Sequence, residues 1–336
     1  MATLLAIASV VFGGVVVIIA IGDVMRSTLS TSGDGVISRY VASKVWRVAL
    51  KGHRRFHSHR LLDAAGPVIV VTIVLVWVAL LWFGWLLIFA GTPQAVVHSA
   101  TQEPAGLIDR AYFVGFTLFT LGVGDFAGGN PWWRMLTTIA SINGLSAITL
   151  ALAYLLPVVE AATAKRQLAQ LINVMGDSVA EVIANGWNGK DWAGFENQLQ
   201  TITPLLLLHG ERHLAYPVLH YYHAVEPSAA LGPNLLVLDD AITILLECLP
   251  EGDQPSASAL RATRHAIDIC LKRVTRQFVD QADEPPPLPD LSALEGVSLP
   301  TIDPKSIEES LGKHSDRRRW LRGHLRGDGW TTSAPR

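Results

Sequence analysis

The segment Thr120-Leu-Gly-Val-Gly-Asp125 (TLGVGD) decides how the rest of the sequence is interpreted. It is short, polar and rich in glycine, and it lies between two long apolar stretches. Glycine adopts positive φ without the steric cost that other residues incur, so Gly122 and Gly124 allow the dihedral signs to alternate along the segment. With that alternation, successive carbonyl groups point to one side of the chain. We therefore predict that the segment presents a row of backbone oxygens to a cation.

The composition places the chain in a membrane. Of the 336 residues, 50% are hydrophobic and only 17% are charged, and the mean hydropathy is +0.32. Soluble proteins of this length are rarely so apolar. The net charge of −2 argues against a nucleic-acid partner, which a basic domain would bind. Two cysteines, Cys248 and Cys270, are too few for a disulfide framework and are predicted to be buried, reduced thiols.

Three charge-free apolar runs are long enough to cross a bilayer, which takes about 20 helical residues. They are Ala2–Gly22, Val68–Ala90 and Met135–Val159. The alternative for the first run is a cleaved signal peptide. Because no Lys or Arg precedes this run and its apolar core is longer than that of a signal peptide, the sequence favours a retained span.

The basic residues of the connecting segments predict the orientation. Eight basic residues and three acidic ones lie between Asp23 and Gly66, whereas Arg110 is the single Lys or Arg between Gly91 and Pro131. Loops that carry an excess of Lys and Arg remain in the cytoplasm. The N-terminus is therefore predicted to lie outside, and the chain after the third span in the cytoplasm of a multi-pass cell-membrane protein.

The first linker has a helical pattern of its own. Ile37, Val41, Val45 and Val48 recur at helical spacing with basic residues between them. This pattern predicts an amphipathic helix that lies on the inner membrane surface. The alternative is a solvated helix that packs on the cytoplasmic domain.

Between the second and third spans, the run Leu107–Phe119 is apolar and aromatic but too short to cross the membrane. TLGVGD follows it directly, which is the pattern of a re-entrant helix and a non-helical return. Irregular backbone at membrane depth is tolerated only where protein buries it or where it lines a water-filled path. The side chains of Leu121 and Val123 are predicted to pack against the short helix, away from that path.

The residues of this loop have separate predicted roles. The carbonyl oxygens of Thr120, Leu121, Gly122, Val123 and Gly124 are the candidate ion ligands, and the Thr120 hydroxyl adds another oxygen. Asp125 at the outer mouth attracts cations or fastens the turn. One chain supplies one row of oxygens, and a closed ring needs several copies around an axis, so the protein is predicted to be a homo-oligomer.

The order of these segments resembles the potassium channel pore domain of the bacterial two-transmembrane type, with an extra N-terminal span. Val68–Ala90 is similar to the outer helix, Leu107–Phe119 to the pore helix, TLGVGD to the filter Thr-Val-Gly-Tyr-Gly-Asp and Met135–Val159 to the inner helix. The resemblance covers roughly residues 68–159. It implies a homotetramer in the lipid bilayer that conducts potassium passively, with potassium as the permeant ion and no covalent cofactor.

The sequence departs from the family pattern at three positions. Val123 replaces the filter tyrosine that braces the loop against the pore helix, and Phe119 replaces a frequent threonine. Phe116 stands where some channels have a glutamate that pairs with the filter aspartate, so Asp125 is expected to lack that partner. We therefore expect a channel that prefers potassium but discriminates less strongly against sodium. The alternatives are a weakly selective monovalent cation channel and a non-conducting membrane scaffold or receptor with a pore-like fold.

Two residues of the inner helix are candidates for gating. Gly144 is either a flexible hinge or a small residue that allows close helix approach. Pro157 either kinks the helix near a gate or marks the end of the helix. No span carries a run of arginines at three-residue spacing, which argues against a voltage sensor.

Residues 161–280 are predicted to form helices that breakers such as Pro204 separate. His209 and His213 lie four residues apart and are candidates for a metal or proton-sensing site. The alternative, favoured by the nearby Gly210, is ordinary core or solvated histidines. No dinucleotide fingerprint or hydrolase motif occurs, so an enzyme is not expected. The Asp239-Asp240 pair is expected near solvent, on different faces of one helix.

The sequence thus predicts an all-α membrane protein, with a potassium-channel-like pore domain, an additional N-terminal transmembrane helix and a helical cytoplasmic domain. Its last part, with six prolines between Gln281 and Pro304 and a basic tail, is expected to be an extended linker followed by a segment that either touches the membrane or is disordered or loosely helical. The predicted divisions are 1–24 (N-terminal span), 25–66 (linker with the basic helix), 67–160 (pore domain), 161–280 (helical domain) and 281–336 (linker and tail).

Overall fold

The computed structural model describes residues 2–31, 33–294, 297, 299 and 303–330, and within them the chain is helical with a single two-stranded antiparallel sheet. The helices are α1 (Ala2–Leu29), α2 (Val36–Phe56), α3 (His59–Ala90), α4 (Leu107–Leu118), α5 (Pro131–Asn173), α6 (Val179–Gly186), α7 (Ala193–Ala215), α8 (Leu231–Glu247), α9 (Ala257–Phe278), α10 (Pro304–Lys313) and α11 (Ser315–Gly327). The strands are β1 (Val96–His98) and β2 (Phe126–Gly128), and short 3-10 turns cover Pro93–Ala95, Pro217–Tyr221, Pro227–Ala229 and Ser292–Leu294. The predicted all-α class is confirmed.

The chain forms two compact units. The first comprises Met1–Lys44 and Val68–Pro157, and the second comprises Val45–Pro67 and Val158–Arg336. Two of the divisions fall at prolines inside helices, Pro67 in α3 and Pro157 in α5, where a backbone N–H is missing. The sequence placed a further division at residue 281, but the described residues on both sides of it belong to the second unit.

Three helices are long and apolar enough to cross a membrane: Leu4–Leu29, His59–Ala90 and Pro131–Asn173. These are the three predicted spans, and two of them extend well past their apolar runs. α5 continues beyond Val159 to Asn173, so Pro157 lies inside a helix and does not mark its end. Hydropathy detects where a helix leaves the apolar phase, whereas the helical hydrogen bonds continue into the polar residues that follow.

Close glycine contacts join α1 to α3 in the first unit. A Cβ at Gly13 would lie 2.5 Å from the carbonyl oxygen of Gly84, and one at Gly84 would lie 2.8 Å from a methyl group of Val17. The Ser9 hydroxyl also donates to the carbonyl of Leu87 at 2.8 Å. Small residues and hydroxyl hydrogen bonds of this kind are typical of helix pairs in membranes. The first span is therefore a packed element of this unit.

Asp23 near the end of α1 caps the start of α2. Its buried carboxylate accepts hydrogen bonds from the backbone N–H of Ile37 at 2.8 Å and of Ser38 at 3.1 Å. It also accepts from the Ser38 hydroxyl at 2.5 Å and from the indole N–H of Trp77 at 2.9 Å. A carboxylate at a helix N-terminus satisfies amides that have no partner within the helix and complements the helix dipole. One side chain thus links three helices.

The helix predicted in the first linker is present as α2. Its buried residues include Ser38, Ala42 and Trp46, whereas Val48 of the predicted apolar stripe is 71% exposed. An exposed apolar stripe is what a helix on a membrane surface presents to lipid, so the membrane-surface interpretation stays a prediction.

The second unit has a large apolar core built mainly by α6 to α9 with α10 and α11. α8 is buried along most of its length, and α7 packs along α9. Pro204, predicted to end a helix, lies inside α7. Cys270 is buried, Cys248 is partly buried, and both thiols are free, as predicted.

The basic tail is folded into this unit. α11 packs on α8 and α9, and Leu321 is part of the core. Arg318 forms a bidentate ion pair with Asp240, with both N–O distances at 2.9 Å, and Arg317 pairs with Asp239 and Asp268. The acidic pair expected near solvent is therefore buried, and these arginines are not available to a membrane surface. Residues 295, 296, 298, 300–302 and 331–336 of the predicted linker and tail lie outside the described residues.

The buried carboxyl of Asp34, just before α2, makes the stability of the first unit depend on pH. Its side chain is buried, and among the described residues its Oδ1 atom has no hydrogen-bond partner. Burial raises the pKa of this carboxyl to about 7, Arg39 partly opposes the shift and Asp23 adds to it. A raised pKa in the folded state means that stability falls as pH rises from about 4 to about 7.

We expect Asp34→Asn to stabilise the protein at pH 8 by about 1–4 kcal/mol, with the difference disappearing near pH 4. Thermal unfolding of the purified protein in detergent, followed by tryptophan fluorescence at both pH values, measures this. The exposed Asp63 provides the control, since Asp63→Asn removes the same charge without a buried carboxyl. Equal stability of wild type and Asp34→Asn at pH 8 would contradict the assignment.

The buried ion pair between Arg318 and Asp240 is expected to stabilise the second unit. Arg318→Ala leaves Asp240 buried without its cation, which is expected to cost about 3–5 kcal/mol of unfolding free energy. The neighbouring Arg319 pairs with the exposed Asp316, so Arg319→Ala is expected to cost less than about 1 kcal/mol. Thermal unfolding and limited proteolysis of the tail compare the two variants. A tail that is cleaved equally fast in wild type and in Arg318→Ala would show that the pair does not fasten it.

Candidate functional site

The candidate site is the loop between α4 and β2. α4 begins after Gly106, whose backbone N–H donates to the Asp109 carboxylate at 3.2 Å. Its aromatic side chains pack against α3: the Phe113 ring meets the Phe89 ring edge to face, with centroids 5.2 Å apart. The indole N–H of Trp82 in α3 also donates to the carbonyl of Ala111 at 2.9 Å. These contacts fix α4 and thereby the point at which the loop leaves it.

Arg110 fastens the start of α4 to the end of α3. Its side chain is 9% exposed, and its guanidinium donates to three backbone carbonyls, those of Ala105 at 2.9 Å, Phe89 at 3.0 Å and Pro93 at 3.0 Å. The sequence offered one signal for this role, which is that Arg110 is the single Lys or Arg between Gly91 and Pro131.

The loop backbone alternates in φ as predicted. φ is +62° at Gly122 and +87° at Gly124, while Leu121 and Val123 are outside the positive-φ region. Thr120 also has a positive φ, +55°, which the sequence did not indicate because such values are uncommon for residues other than glycine. Positive and negative φ therefore alternate from Thr120 through Gly124. This alternation of sign is the backbone pattern that the predicted row of carbonyl oxygens requires.

Backbone hydrogen bonds hold the α4 end of the loop. The N–H of Leu121 donates to the carbonyl of Phe116 at 2.9 Å, and that of Thr120 donates to the carbonyl of Thr117 at 3.2 Å. The side chains of Leu121 and Val123 were predicted to pack against α4. In this single chain they are 69% and 51% exposed, because main-chain hydrogen bonds make the contact with α4.

The other end of the loop has partners that the sequence missed. Phe116 leaves Asp125 without a glutamate partner, as expected, and the Asp125 carboxylate accepts a hydrogen bond from the backbone N–H of Phe126 at 3.1 Å. Ser99, which follows β1, donates its hydroxyl to the Gly124 carbonyl at 2.7 Å and its N–H to the Asp125 carbonyl at 2.9 Å. One lone pair of the Gly124 oxygen is thus occupied.

Gly144 lies directly against the end of α4. A Cβ at this position would overlap the carbonyl oxygen of Leu118 and would lie 2.7 Å from its Cα atom. The structure therefore supports close helix approach, the second of the two interpretations offered by the sequence. At this point α5 packs against the last turn of α4, from which the loop leaves.

His209 and His213 do not form an open site. Both side chains are buried, and burial lowers the pKa of His209 to about 3 and that of His213 well below its usual value. Their rings lie near those of His220 and His324, with His213 and His220 at a centroid distance of 5.9 Å. Within the part of the chain that the structure describes, no three His, Cys, Asp or Glu side chains are arranged to hold a metal ion. They are core histidines that stay neutral near pH 7.

Two kinds of known protein are similar to this chain, one over the loop and its flanking helices and one over most of its length. The sequence model of a family described as "Ion channel" matches residues 70–161, which include α4 and the loop. The uncharacterized membrane protein YdjJ of Bacillus subtilis (strain 168) is 32% identical over 294 residues, which cover 87% of this chain and 85% of YdjJ. No solved structure matches the chain.

The match to YdjJ extends beyond the loop and its flanking helices into the second unit. The match to the ion channel model is confined to the helices on either side of the loop and to the loop itself. The chain therefore belongs to the family of membrane proteins that includes YdjJ, and residues 70–161 form a pore domain of the two-transmembrane, potassium-channel-like ion channel family.

Proposed function

We propose that four copies of this chain form a cation channel that prefers potassium and conducts it through the backbone carbonyls of Thr120 to Gly124. The observation that carries the proposal is the alternation of φ at Thr120, Gly122 and Gly124 within the segment that matches an ion channel family. Backbone oxygens turned to one side replace the water around a cation when several copies meet on an axis. No other ligand or covalent cofactor takes part.

Further features of the loop support a cation as the permeant species. The loop follows the C-terminal end of α4, where the helix dipole places a partial negative charge. Asp125 stands at its other end. Between Gly91 and Pro131 the chain has three carboxylates, Glu103, Asp109 and Asp125, against the single guanidinium of Arg110. Clefts lined with one sign of charge raise the local concentration of the opposite ion.

We propose the orientation that the basic linker indicates, with the N-terminus outside and the second unit in the cytoplasm. In this orientation Asp125 lies at the outer mouth. Gating by the second unit is part of the proposal, because the pore-flanking helix α5 continues as one helix into that unit. The stimulus that acts on the second unit is not specified by any motif of the sequence.

Potassium flux into proteoliposomes tests conduction. The wild type is expected to conduct, and Gly122→Ala is expected to lose at least about tenfold in flux, because positive φ costs a residue with a Cβ about 1–2 kcal/mol in each chain. A Cβ at Gly122 meets no atom within 4 Å in the single chain, so this cost is conformational. Gly14→Ala is the matched control, since Gly14 also has open space around it but no positive φ. A purified, folded wild type without flux would favour the non-conducting scaffold or receptor.

Bi-ionic reversal potentials test selectivity. Because Val123 lacks the tyrosine hydroxyl that braces the filter in the resembled family, we expect potassium to be more permeant than sodium by a smaller ratio than in strictly selective channels. The measurement uses purified protein in planar bilayers with potassium on one side and sodium on the other. Equal permeability would contradict the potassium preference and support the weakly selective channel.

A further inference from the structure

Ser99 contacts both residues that end the loop. Its hydroxyl donates to the Gly124 carbonyl at 2.7 Å, and its backbone N–H donates to the Asp125 carbonyl at 2.9 Å. Two donors of one residue thus hold two consecutive peptide groups. Gly124 has φ of +87° and no side chain, so rotation of this peptide meets little steric resistance. The hydrogen bond to its oxygen is therefore what orients the Gly124 carbonyl.

The segment that carries Ser99 is itself held in place. β1 pairs with β2 in antiparallel register, with Val96 opposite Gly128 and His98 opposite Phe126. The His98 and Phe126 rings meet edge to face, with centroids 5.5 Å apart. The Gln102 side-chain amide donates to the Ser99 carbonyl at 2.9 Å. Ser99 is therefore placed by β1, whose antiparallel partner β2 begins directly after Asp125.

The contact occupies a place where the loop lacks support from α4. Val123 has no polar atom in its side chain, and it is 51% exposed in the single chain. The contacts described above between α4 and the loop are backbone hydrogen bonds made at Thr120 and Leu121. Neither acts on the Gly124 peptide, whose oxygen receives its hydrogen bond from Ser99.

We propose that Ser99 is a positioning residue that sets the direction of the Gly124 carbonyl and thereby the discrimination of potassium from sodium at this end of the filter. This inference rests on the proposed function. An oxygen held at a fixed distance from the axis favours the ion that fits that distance, whereas a carbonyl that is free to rotate follows a smaller ion inward. The hydrogen bond from Ser99 replaces the support that a tyrosine at position 123 would give from the side of α4.

Three variants test the inference. Ser99→Ala removes the hydroxyl, and the sodium-to-potassium permeability ratio is expected to rise about fivefold, the factor that one hydrogen bond of typical strength represents. Ser99→Thr keeps a hydroxyl at the same position and is expected to restore the wild-type ratio. Thr101→Ala is the matched control, because the Thr101 hydroxyl accepts from the Glu103 N–H in the same exposed turn and does not bond to the loop.

A second measurement does not depend on conduction. Hydrogen–deuterium exchange of peptides covering residues 122–127, in detergent with potassium present, is expected to be faster in Ser99→Ala than in wild type, Ser99→Thr or Thr101→Ala. A wild type that carries no ion would defeat the proposed channel, while the exchange data would still decide whether Ser99 orders the loop. The inference is overturned if Ser99→Ala keeps the wild-type permeability ratio, if Ser99→Thr fails to restore it, or if exchange is unchanged.

Discussion

Backbone amides and carbonyls that leave a helix inside a membrane must find their partners within the protein. Much of the first unit is arranged to meet this requirement for five residues. The N–H of Leu121 donates to a carbonyl of α4, and Ser99 donates hydrogen bonds to carbonyls at the other end of the loop. α4 is itself held by Trp82 and Arg110 through main-chain carbonyls. Both ends of the loop are thereby held, and the carbonyls in its middle are the oxygens that we propose as ion ligands.

The sequence predicted the parts of this arrangement that depend on residue type at a fixed spacing. The apolar runs predicted the three membrane spans, and the glycines predicted two of the loop's three positive φ values, those of Gly122 and Gly124. It did not predict the contacts of Ser99 with Gly124 and Asp125, because those depend on the pairing of β1 with β2. Strands of three residues each carry too little periodicity to be recognised. Gly144 shows the intermediate case, in which the sequence offered two interpretations and packing against Leu118 supports one.

The second unit shows the same limit for charge. The sequence correctly predicted most of its helices from the spacing of apolar residues, but it assigned the arginines of the tail to solvent or lipid. A cluster of basic residues in a sequence indicates that acidic partners are needed, but it does not indicate where those partners lie. For Arg317 and Arg318 it lies 78 residues earlier in the chain, in Asp239 and Asp240. These buried ion pairs make α11 an integral part of the core, because removing either partner would leave an uncompensated buried charge.

The placement of Arg110 also affects the diffuse layer of ions in front of the proposed pore. Its guanidinium faces inward onto three carbonyl dipoles, which offset its potential, while Glu103, Asp109 and Asp125 lie on a segment of formal charge −2 per chain. In a four-fold assembly this charge adds up around one entrance. Such a surface potential is screened over about 10 Å at 0.1 M salt. In the proposed channel, conductance is therefore expected to fall less steeply than the bulk cation concentration at low ionic strength, because the surface charge keeps cations at the entrance.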